Sequence, residues 1–154
     1  SPRIHYVDDS LEIDDELKLE TYHDCPVFLP VQTYGMTEEH DGIRMADRFL
    51  HEQYLIVTEG SQKVLLSGCS HRGIYNIIQW AADEQVQTVI GGFHFMKLEP
   101  EDFCQMDSTA EKLLEYPVEY YTCHCTGLHQ YQYLKEKMGD ALQYLESGQT
   151  IVIS

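Results

Sequence analysis

The sequence predicts an α/β domain, a layered fold in which strands and helices alternate along the chain. Three observations support this fold class. The chain has 154 residues, enough for one domain with a sizeable core. Its composition, 43% hydrophobic and 23% charged, is that of a globular protein. From residue 53 onward, short apolar runs typical of buried strands alternate with runs whose apolar residues recur at helical spacing.

The N-terminal third has the least regular pattern. LKLETY (17–22) alternates apolar and polar residues and predicts one short, half-buried strand. Residues 23–42 contain two prolines and two glycines without any period, which indicates a long irregular connection. We therefore expect residues 1–52 to be an irregular connecting region with a short strand, and residues 53–154 to form an α/β unit.

The regular region begins with a hairpin and a helix. QYLIVTEG (53–60) and QKVLLSG (62–68) are two apolar strands joined by a hairpin turn. GIYNIIQWAADE (73–84) has its isoleucines at helical spacing and predicts a helix. VQTVIGGFHF (86–95) predicts the next strand.

Capping residues and apolar periods define the remaining elements. Ser108 and Glu111 have the spacing of a capping box, so STAEKLLEY predicts a helix. VEYYTCH predicts a strand, and TGLHQYQYLKEKM predicts a helix. DALQYLESG, with Asp140 as N-cap and Gly148 as C-cap, predicts a last helix before a closing strand, QTIVIS.

The charge and the cysteines exclude several classes of partner. The formal net charge is −16, and such a field repels phosphate backbones, so no nucleic acid is expected. No apolar run approaches the ~20 residues of a membrane helix, and no basic and then apolar leader is present. Five cysteines, an odd number, argue against a disulfide framework. We expect an acidic protein of the reducing cytoplasm.

Three predicted strands end alike, each with a histidine next to glycine where the chain turns away. The histidines are His71 in SGCSH, His94 in GGFH and His124 in CHCTG. Ligand sites of α/β sheets assemble at the carboxyl ends of the strands, and neutral imidazole is the commonest metal ligand in proteins. The pattern predicts a metal site, and zinc, manganese or iron would accept such ligands.

The cysteines beside these histidines are expected to have different roles. Along a strand the side chains alternate between faces, so Cys123 and Cys125 should point one way and His124 the other. We therefore expect only His124 to face the site, with both cysteines packed as small apolar residues. Cys69, two residues before His71, is either a thiolate ligand or a residue that lines the cavity.

Four further residues are candidates for supporting roles. Asp47 and Glu52 precede the first regular strand, and either one could orient a metal-bound histidine through a hydrogen bond. A solvated turn is the alternative for both. Phe93 and Thr126 lie beside the predicted site and are expected to support it or to contact substrate.

Other kinds of site fit poorly. No glycine-rich phosphate loop matches the dinucleotide or P-loop pattern. SGCSHRG fails the frame of a nucleophile elbow, because its glycines, Gly68 and Gly73, are too far apart. A nucleophilic pair of Cys69 with His71 remains an alternative.

The combination of LLSGCSHRGIYNII, VIGGFHF, CHCTG and LESGQTIVI resembles one branch of the metallo-β-lactamase fold. It is similar to the methanopterin-biosynthesis synthase-like hydrolases, which show Gly-Cys-Ser-His-x-Gly-Ile, Gly-Gly-Phe-His and His-Cys-Thr-Gly in this order. DRFLHEQYLIV resembles the Asp-x-Phe-x-x-Glu-x-x-Leu segment that precedes these motifs. The resemblance covers roughly residues 43–153.

The resemblance implies a four-layered αββα sandwich of two similar halves with a metal pair between the sheets. Its first half brings His-x-His-x-Asp-His, including the catalytic aspartate, and this sequence contains no His-x-His. The chain resembles only the C-terminal half. By resemblance His71 and His94 are metal ligands, and His124 is a ligand or contacts substrate. Cys69 falls where related branches place a bridging aspartate.

The leading hypothesis is therefore the C-terminal part of a hydrolase that acts on phosphate-ester or pterin-like small molecules. A divalent metal pair, zinc first, would activate water. Alone, the chain should be incomplete and inactive, and should pair with the missing half or dimerise to cover an apolar sheet face. One alternative is a non-catalytic metal-binding or assembly module. Another is a cysteine-dependent enzyme that uses Cys69.

Overall fold

The structure, a computed structural model that describes residues 3–153, is built on one seven-stranded mixed sheet. The strands are β1 (Ser10–Glu12), β2 (Leu17–Glu20), β3 (Thr37–His40), β4 (Ile43–Ala46), β5 (Tyr54–Glu59), β6 (Gln62–Leu66), β7 (Thr88–Gly91), β8 (Glu119–Thr122) and β9 (Leu142–Tyr144). The α-helices are α1 (Ile74–Trp80), α2 (Asp107–Leu113) and α3 (Leu128–Met138). None of the helices in the described part of the chain is both long and apolar enough to cross a membrane.

The sheet order is β1-β2-β5-β6-β7-β8-β9, and β3 and β4 form a separate hairpin. The strands β1, β2, β5 and β6 are antiparallel to their neighbours, whereas β6 to β9 are parallel. Helices follow β6, β7 and β8, as parallel connections require. The predicted α/β class with a mixed sheet is confirmed, and the carboxyl ends of three parallel neighbours lie along one edge.

The N-terminal third contains more structure than the single strand predicted within residues 1–52. The strand β2 falls inside the predicted 17–22, but β1 pairs with it, and β2 in turn pairs with β5. Residues 37–46 add the β3–β4 hairpin. These extra strands are only three or four residues long, too short for a readable alternation, and β1 and β3 are largely polar. Pairing with neighbouring strands decides their conformation.

The predicted last helix and closing strand are wrong. Residues 139–141 form a 3₁₀ turn and residues 142–144 form β9, because Leu142 pairs with Tyr120 and is fully buried at the end of the sheet. Asp140 and Gly148 therefore cap no helix. Residues 149–153 belong to no strand, and Ser154 lies outside the described residues.

The capping box predicted at Ser108 is also absent. The helix α2 starts at Asp107, directly after a 3₁₀ segment, Pro100–Met106, and no side chain caps it. Met106 already has helical backbone angles, so α2 continues a turn that supplies its own hydrogen-bond partners. Hydrogen bonds of a preceding 3₁₀ turn satisfy the first amides of a helix as a side-chain cap does.

All three helices pack on one face of the sheet. Ile56, Leu65, Val89, Tyr120 and Leu142 are paired in register across five strands, so they point to the same side. Each of the five is at most 1% exposed. Leu65, Val89, Tyr120 and Leu142 form a core with apolar side chains of α1, α2 and α3. This core carries most of the hydrophobic stabilisation.

The opposite face of the sheet, which we call the second face, is apolar but only partly buried. It is lined by Leu17, Leu19, Leu55, Val57, Val64, Leu66, Ile90 and Tyr121. All of these residues are of intermediate exposure, and none belongs to the buried core of residues 3–153. An apolar sheet face of this extent is typical of an interaction surface.

Buried polar side chains of the helical layer hold the segment that follows β2. The Arg72 guanidinium donates to the carbonyl oxygens of Thr21, Tyr22 and His23 at 3.1, 2.7 and 3.3 Å, and lies over the Trp80 ring. Asn76, in α1, exchanges hydrogen bonds with the backbone of residues 28–29. The irregular segment is thereby fixed beside α1.

A leucine-to-alanine change should lower the free energy of unfolding more on the helix-covered face of the sheet than on the second face. Leu65→Ala should lower the free energy of unfolding by about 2–5 kcal/mol, since Leu65 is 0% exposed and leaves a cavity. Its neighbour Leu66 points to the second face, so Leu66→Ala should lower it by about 1 kcal/mol or less in the same chain. Urea unfolding measures both, and equal losses would contradict the assignment of faces.

Candidate metal centre

The loops after β6, β7 and β8 are tied together by their backbones. The Gly92 amide donates to the Gly68 carbonyl at 2.8 Å, which joins the first two loops. The Met96 amide donates to the Cys125 carbonyl at 2.9 Å, which joins the second and third. The residues predicted from the three strand ends therefore lie along one edge of the sheet.

Glu52 and His71 form the best-defined part of this edge. The carboxylate of Glu52, which is buried, accepts the backbone amide of His71 at 2.7 Å. The same oxygen lies 3.0 Å from Nδ1 of His71. When Nδ1–H bonds to the carboxylate, the lone pair of Nε2 is left free to bind a metal. Carboxylates impose this arrangement on metal-binding histidines.

His94 lies against His71. The two rings meet edge to face with centroids 4.3 Å apart. The Tyr34 ring contacts the His94 ring, with 5.1 Å between the two centroids. Both ring nitrogens of His94 are buried and have no hydrogen-bond partner among the described residues. Burial, and next the proximity of His71, lower the pKa of His94 to about 4. The ring is neutral at physiological pH and is able to offer a lone pair.

Phe49 completes the packing around His71, with the rings stacked at 4.7 Å and 17°. Asp47 accepts the Phe49 backbone amide at 2.7 Å. Asp47 thus acts on the turn that places Phe49, whereas Glu52 contacts the histidine itself. Sequence reasoning missed Phe49 and Tyr34, because neither an isolated aromatic residue nor its left-handed backbone angle has a sequence signal.

A second group of candidate ligands lies at the same edge. Nδ1 of His124 is 3.6 Å from Sγ of Cys69, and the Cys125 thiol donates to the Cys69 carbonyl at 3.4 Å. The ligand atoms of Cys69, His124 and Cys125 lie within 4.8 Å of one another. Burial raises the pKa of the Cys125 thiol to about 12, so it is neutral in the metal-free chain.

The predicted alternation of side chains after Thr122 is therefore wrong. It requires a strand, but β8 ends at Thr122, and residues 124–126 form a 3₁₀ turn. His124 adopts a φ of 47°, in the left-handed region. This turn brings Cys125 to the same side as His124, while Cys123 is not part of the group.

Phe93 and Thr126 join the loops that follow β7 and β8. Phe93 is 1% exposed, and its backbone amide donates to the Thr126 hydroxyl at 2.8 Å. The Thr126 hydroxyl also contacts that of Thr122, which donates to the Gly91 carbonyl. This chain of bonds fixes the loop that holds His94.

A small pocket opens beside His71 and His94. Apolar and polar groups share its lining, which includes Leu29, Pro30, Gln32, Ser70, Phe93, Phe95 and Thr109. Residues 29–32 belong to the segment that Asn76 holds, so the N-terminal third forms one wall. The pocket's volume of about 40 Å³ is room for an ion or a few waters beside the two histidines.

The residues present fit a bound metal ion. Buried polar atoms are nearly always hydrogen-bonded, so the two unpartnered nitrogens of His94 need a partner that the described residues do not provide. A divalent cation satisfies such a nitrogen, and the oriented His71 supplies a second ligand.

The fold matches that of Tm1679, a metal-dependent hydrolase of the β-lactamase superfamily. The crystal structure of Tm1679 superposes on this chain with a TM-score of 0.73, and the two sequences are 26% identical. The superposition covers 97% of this chain and 58% of that one.

Sequence comparison finds relatives in Methanocaldococcus jannaschii. The chain is 28% identical over 145 residues to a 7,8-dihydropterin-6-methyl-4-(beta-D-ribofuranosyl)-aminobenzene-5'-phosphate synthase, a match over 91% of this chain and 46% of the synthase. It is 27% identical over 92 residues to the uncharacterized protein MJ0448, covering 56% of this chain and 32% of that protein. The chain thus spans less than half the length of these relatives. No protein-family model matches it.

Glu52→Gln tests the anchoring role of the carboxylate. An amide has one acceptor oxygen where the carboxylate has two, so a buried amide of the turn at residues 71–72 loses its partner. The free energy of unfolding should fall by about 1–3 kcal/mol. The exposed Glu59→Gln, the matched control, should change it by less than about 0.5 kcal/mol. Equal effects of the two changes in urea unfolding would contradict the role.

The lowered pKa of His94 predicts a pH-dependent stability. An unfolded histidine titrates near 6.5, so between about pH 6.5 and pH 4 the unfolded chain binds more protons at this residue than the folded chain. The metal-free protein should therefore lose stability as pH falls through this window and keep it fully above pH 6.5. Wild type should lose more stability between pH 7 and pH 5 than His94→Gln. Urea unfolding at the two pH values measures this difference. If wild type and His94→Gln lost the same stability, a lowered pKa of His94 would be excluded.

Proposed function

We propose that this chain is the C-terminal part of a metal-dependent hydrolase and supplies His71 and His94 to its metal centre. The observation that supports this most strongly is the His94 ring, whose two buried nitrogens have no hydrogen-bond partner among the described residues. The structural likeness to a metal-dependent hydrolase of the β-lactamase superfamily supports the same class of activity. Zinc is the first candidate, with manganese or iron as alternatives.

The residues of this chain prepare the centre in distinct ways. Glu52 fixes the tautomer and direction of His71 through its contact with Nδ1. Phe49 and Tyr34 pack on the two rings and exclude water from their faces. A bound divalent metal pair would supply the hydroxide nucleophile and polarise the bond to be cleaved. The catalytic aspartate is expected outside this chain.

The substrate is proposed to be a small phosphate ester or pterin-like compound. The supporting fact is the name of the synthase relative, which includes a dihydropterin and a 5'-phosphate.

The site is proposed to be completed by a second sheet. The second face is apolar and only partly buried, and the relatives are about twice as long as this chain. The remaining half of a longer protein, or a second copy of this chain, would cover this face and contribute the missing ligands. The isolated chain is therefore expected to be inactive.

One contact favours a second candidate function. Cys69 lies 3.6 Å from the Nδ1 atom of His124, which suits a thiol–imidazole nucleophilic pair, with His124 in the place first considered for His71. In a cysteine-dependent enzyme, alkylation of Cys69 would abolish activity in a metal-free sample. A metal-dependent hydrolase would already be inactive in that sample.

The main test combines metal analysis with an assay on the complete gene product from which the chain comes. His71→Ala and His94→Ala should each reduce bound metal and should lower hydrolysis of a model phosphodiester, bis(p-nitrophenyl) phosphate, by at least about 100-fold. The control, His129→Ala, alters an exposed histidine of α3 and should leave both unchanged. The proposal is wrong if the complete protein binds no metal or if both site variants keep full activity. Metal binding without hydrolysis would favour a non-catalytic module.

A further inference from the structure

We propose that Asp9, His23 and Asp24 bind a single divalent cation, with zinc as the first candidate, beside the end of β2. Their ligand atoms, one carboxylate oxygen from each aspartate and one imidazole nitrogen, all lie within 4.8 Å of one another. One imidazole and two carboxylates are ligands that zinc and manganese both accept. The proposal depends neither on hydrolytic activity nor on the remaining half of a longer protein.

This group is separate from the histidine pair at the ends of β6 and β7. Asp9 precedes β1, and His23 and Asp24 follow β2. In the sheet β5 lies between β2 and β6, so the strands that lead to the two groups are roughly 10 Å apart. Neither histidine of the pair belongs to the group. All three residues also lie outside residues 43–153, the range of the family resemblance.

A hydrogen bond to Thr21 fixes the direction of the His23 ring. The Thr21 hydroxyl donates its only proton to the Asp8 carbonyl oxygen at 3.1 Å. It therefore accepts the 2.9 Å bond from Nδ1–H of His23. In the neutral ring this leaves the lone pair of Nε2 free, as in metal-binding histidines whose other nitrogen is held by the protein. Thr21 is buried, so the bond is shielded from water.

The free nitrogen of His23 faces both carboxylates. Nε2 lies 3.3 Å from Oδ2 of Asp24 and 3.6 Å from Oδ1 of Asp9. A zinc ion with bonds of about 2.0–2.2 Å to nitrogen and oxygen and with tetrahedral angles places its ligand atoms about 3.4 Å apart. The two distances fit such an ion without rearrangement. A proton on Nε2 bonds well to only one oxygen at a time, whereas the ion bonds to all three atoms.

The backbone holds the three ligands in place, although their side chains are open to solvent. The Thr21 amide donates to the Asp9 carbonyl at 3.0 Å. The Cys25 amide donates to the Tyr22 carbonyl at 3.0 Å, which closes the turn around His23. The two aspartate side chains are 86% and 93% exposed, so an ion reaches them without burying a charge. The net charge of −16 raises the local concentration of cations.

A bound ion would fasten the first strands to the wall of the histidine pocket. The Arg72 guanidinium holds the carbonyls of residues 21–23, and the same segment continues to residues 29–32 of that wall. An ion shared by His23 and Asp9 joins this segment to the residues that begin β1. Its role is therefore structural, and water fills the remaining coordination position.

Histidine-selective ¹⁵N NMR tests the site at the residue itself. In the metal-free protein near pH 8, where the ring is neutral, His23 should be the Nδ1–H tautomer. Zn²⁺ should shift its Nε2 resonance in a saturable manner while Nδ1 stays protonated. Thr21→Val should weaken zinc binding by about 10-fold or more, because the ring loses the partner that orients it. Asp9→Asn and Asp24→Asn remove direct ligands and should weaken binding at least as much.

Matched controls separate this site from other metal sites. Asp83→Asn alters an exposed carboxylate elsewhere and should leave the His23 response unchanged. The double variant His71→Ala, His94→Ala should leave it unchanged too, so failure of the hydrolase proposal would not affect the result. Circular dichroism verifies that the variants fold.

Three outcomes would overturn the proposal. The first is a His23 Nε2 resonance that zinc does not move, which would assign the group to an ion pair only. The second is an equal response of Asp24→Asn and Asp83→Asn. The third is loss of the response in the double histidine variant, which would place the ion at the histidine pair.

Discussion

The buried carboxylate of Glu52 is the contact on which the rest of the site depends. One oxygen accepts the His71 amide and lies beside the imidazole, and the other accepts the Arg72 amide and the Tyr54 hydroxyl. Burial, with this acidic neighbour, raises the pKa of Tyr54, so the phenol remains a donor. A buried carboxylate is tolerated only when its oxygens are satisfied, and here the groups that satisfy it are those that the site must position. The same contact therefore closes the turn into α1 and orients the first histidine.

Arg72 extends this arrangement into the N-terminal third. Its amide bonds to Glu52, while its guanidinium holds three successive carbonyls, 21–23, and lies over Trp80. The segment that forms one wall of the histidine pocket is thus tied to the residue next to a candidate ligand. The irregular third of the chain is part of the site because buried polar groups need these partners.

The edge of the sheet presents two groups of candidate ligands that differ in their chemistry. His71 and His94 are packed between aromatic rings and oriented by a carboxylate, which suits a metal that activates water. Cys69, His124 and Cys125 provide sulfur, which favours soft ions. The second face of the sheet runs below this edge as an apolar, half-buried surface. A covering layer there would exclude water from the site and strengthen its electrostatic interactions.

The sequence by itself determined the α/β class, the β5–β6 hairpin, the parallel strands that follow it and the histidines at their carboxyl ends. These features depend on local periodicity and on glycine positions, which a sequence shows directly. Only the tertiary structure decided that residues 142–144 form a strand, since burial of Leu142 beside Tyr120 outweighs local helix propensity. It alone decided that Glu52 contacts His71, that Phe49 and Tyr34 pack on the two rings, and that Cys125 joins Cys69 and His124. Those contacts depend on left-handed backbone angles and on pairs far apart in the chain, and neither leaves a periodic trace in the sequence.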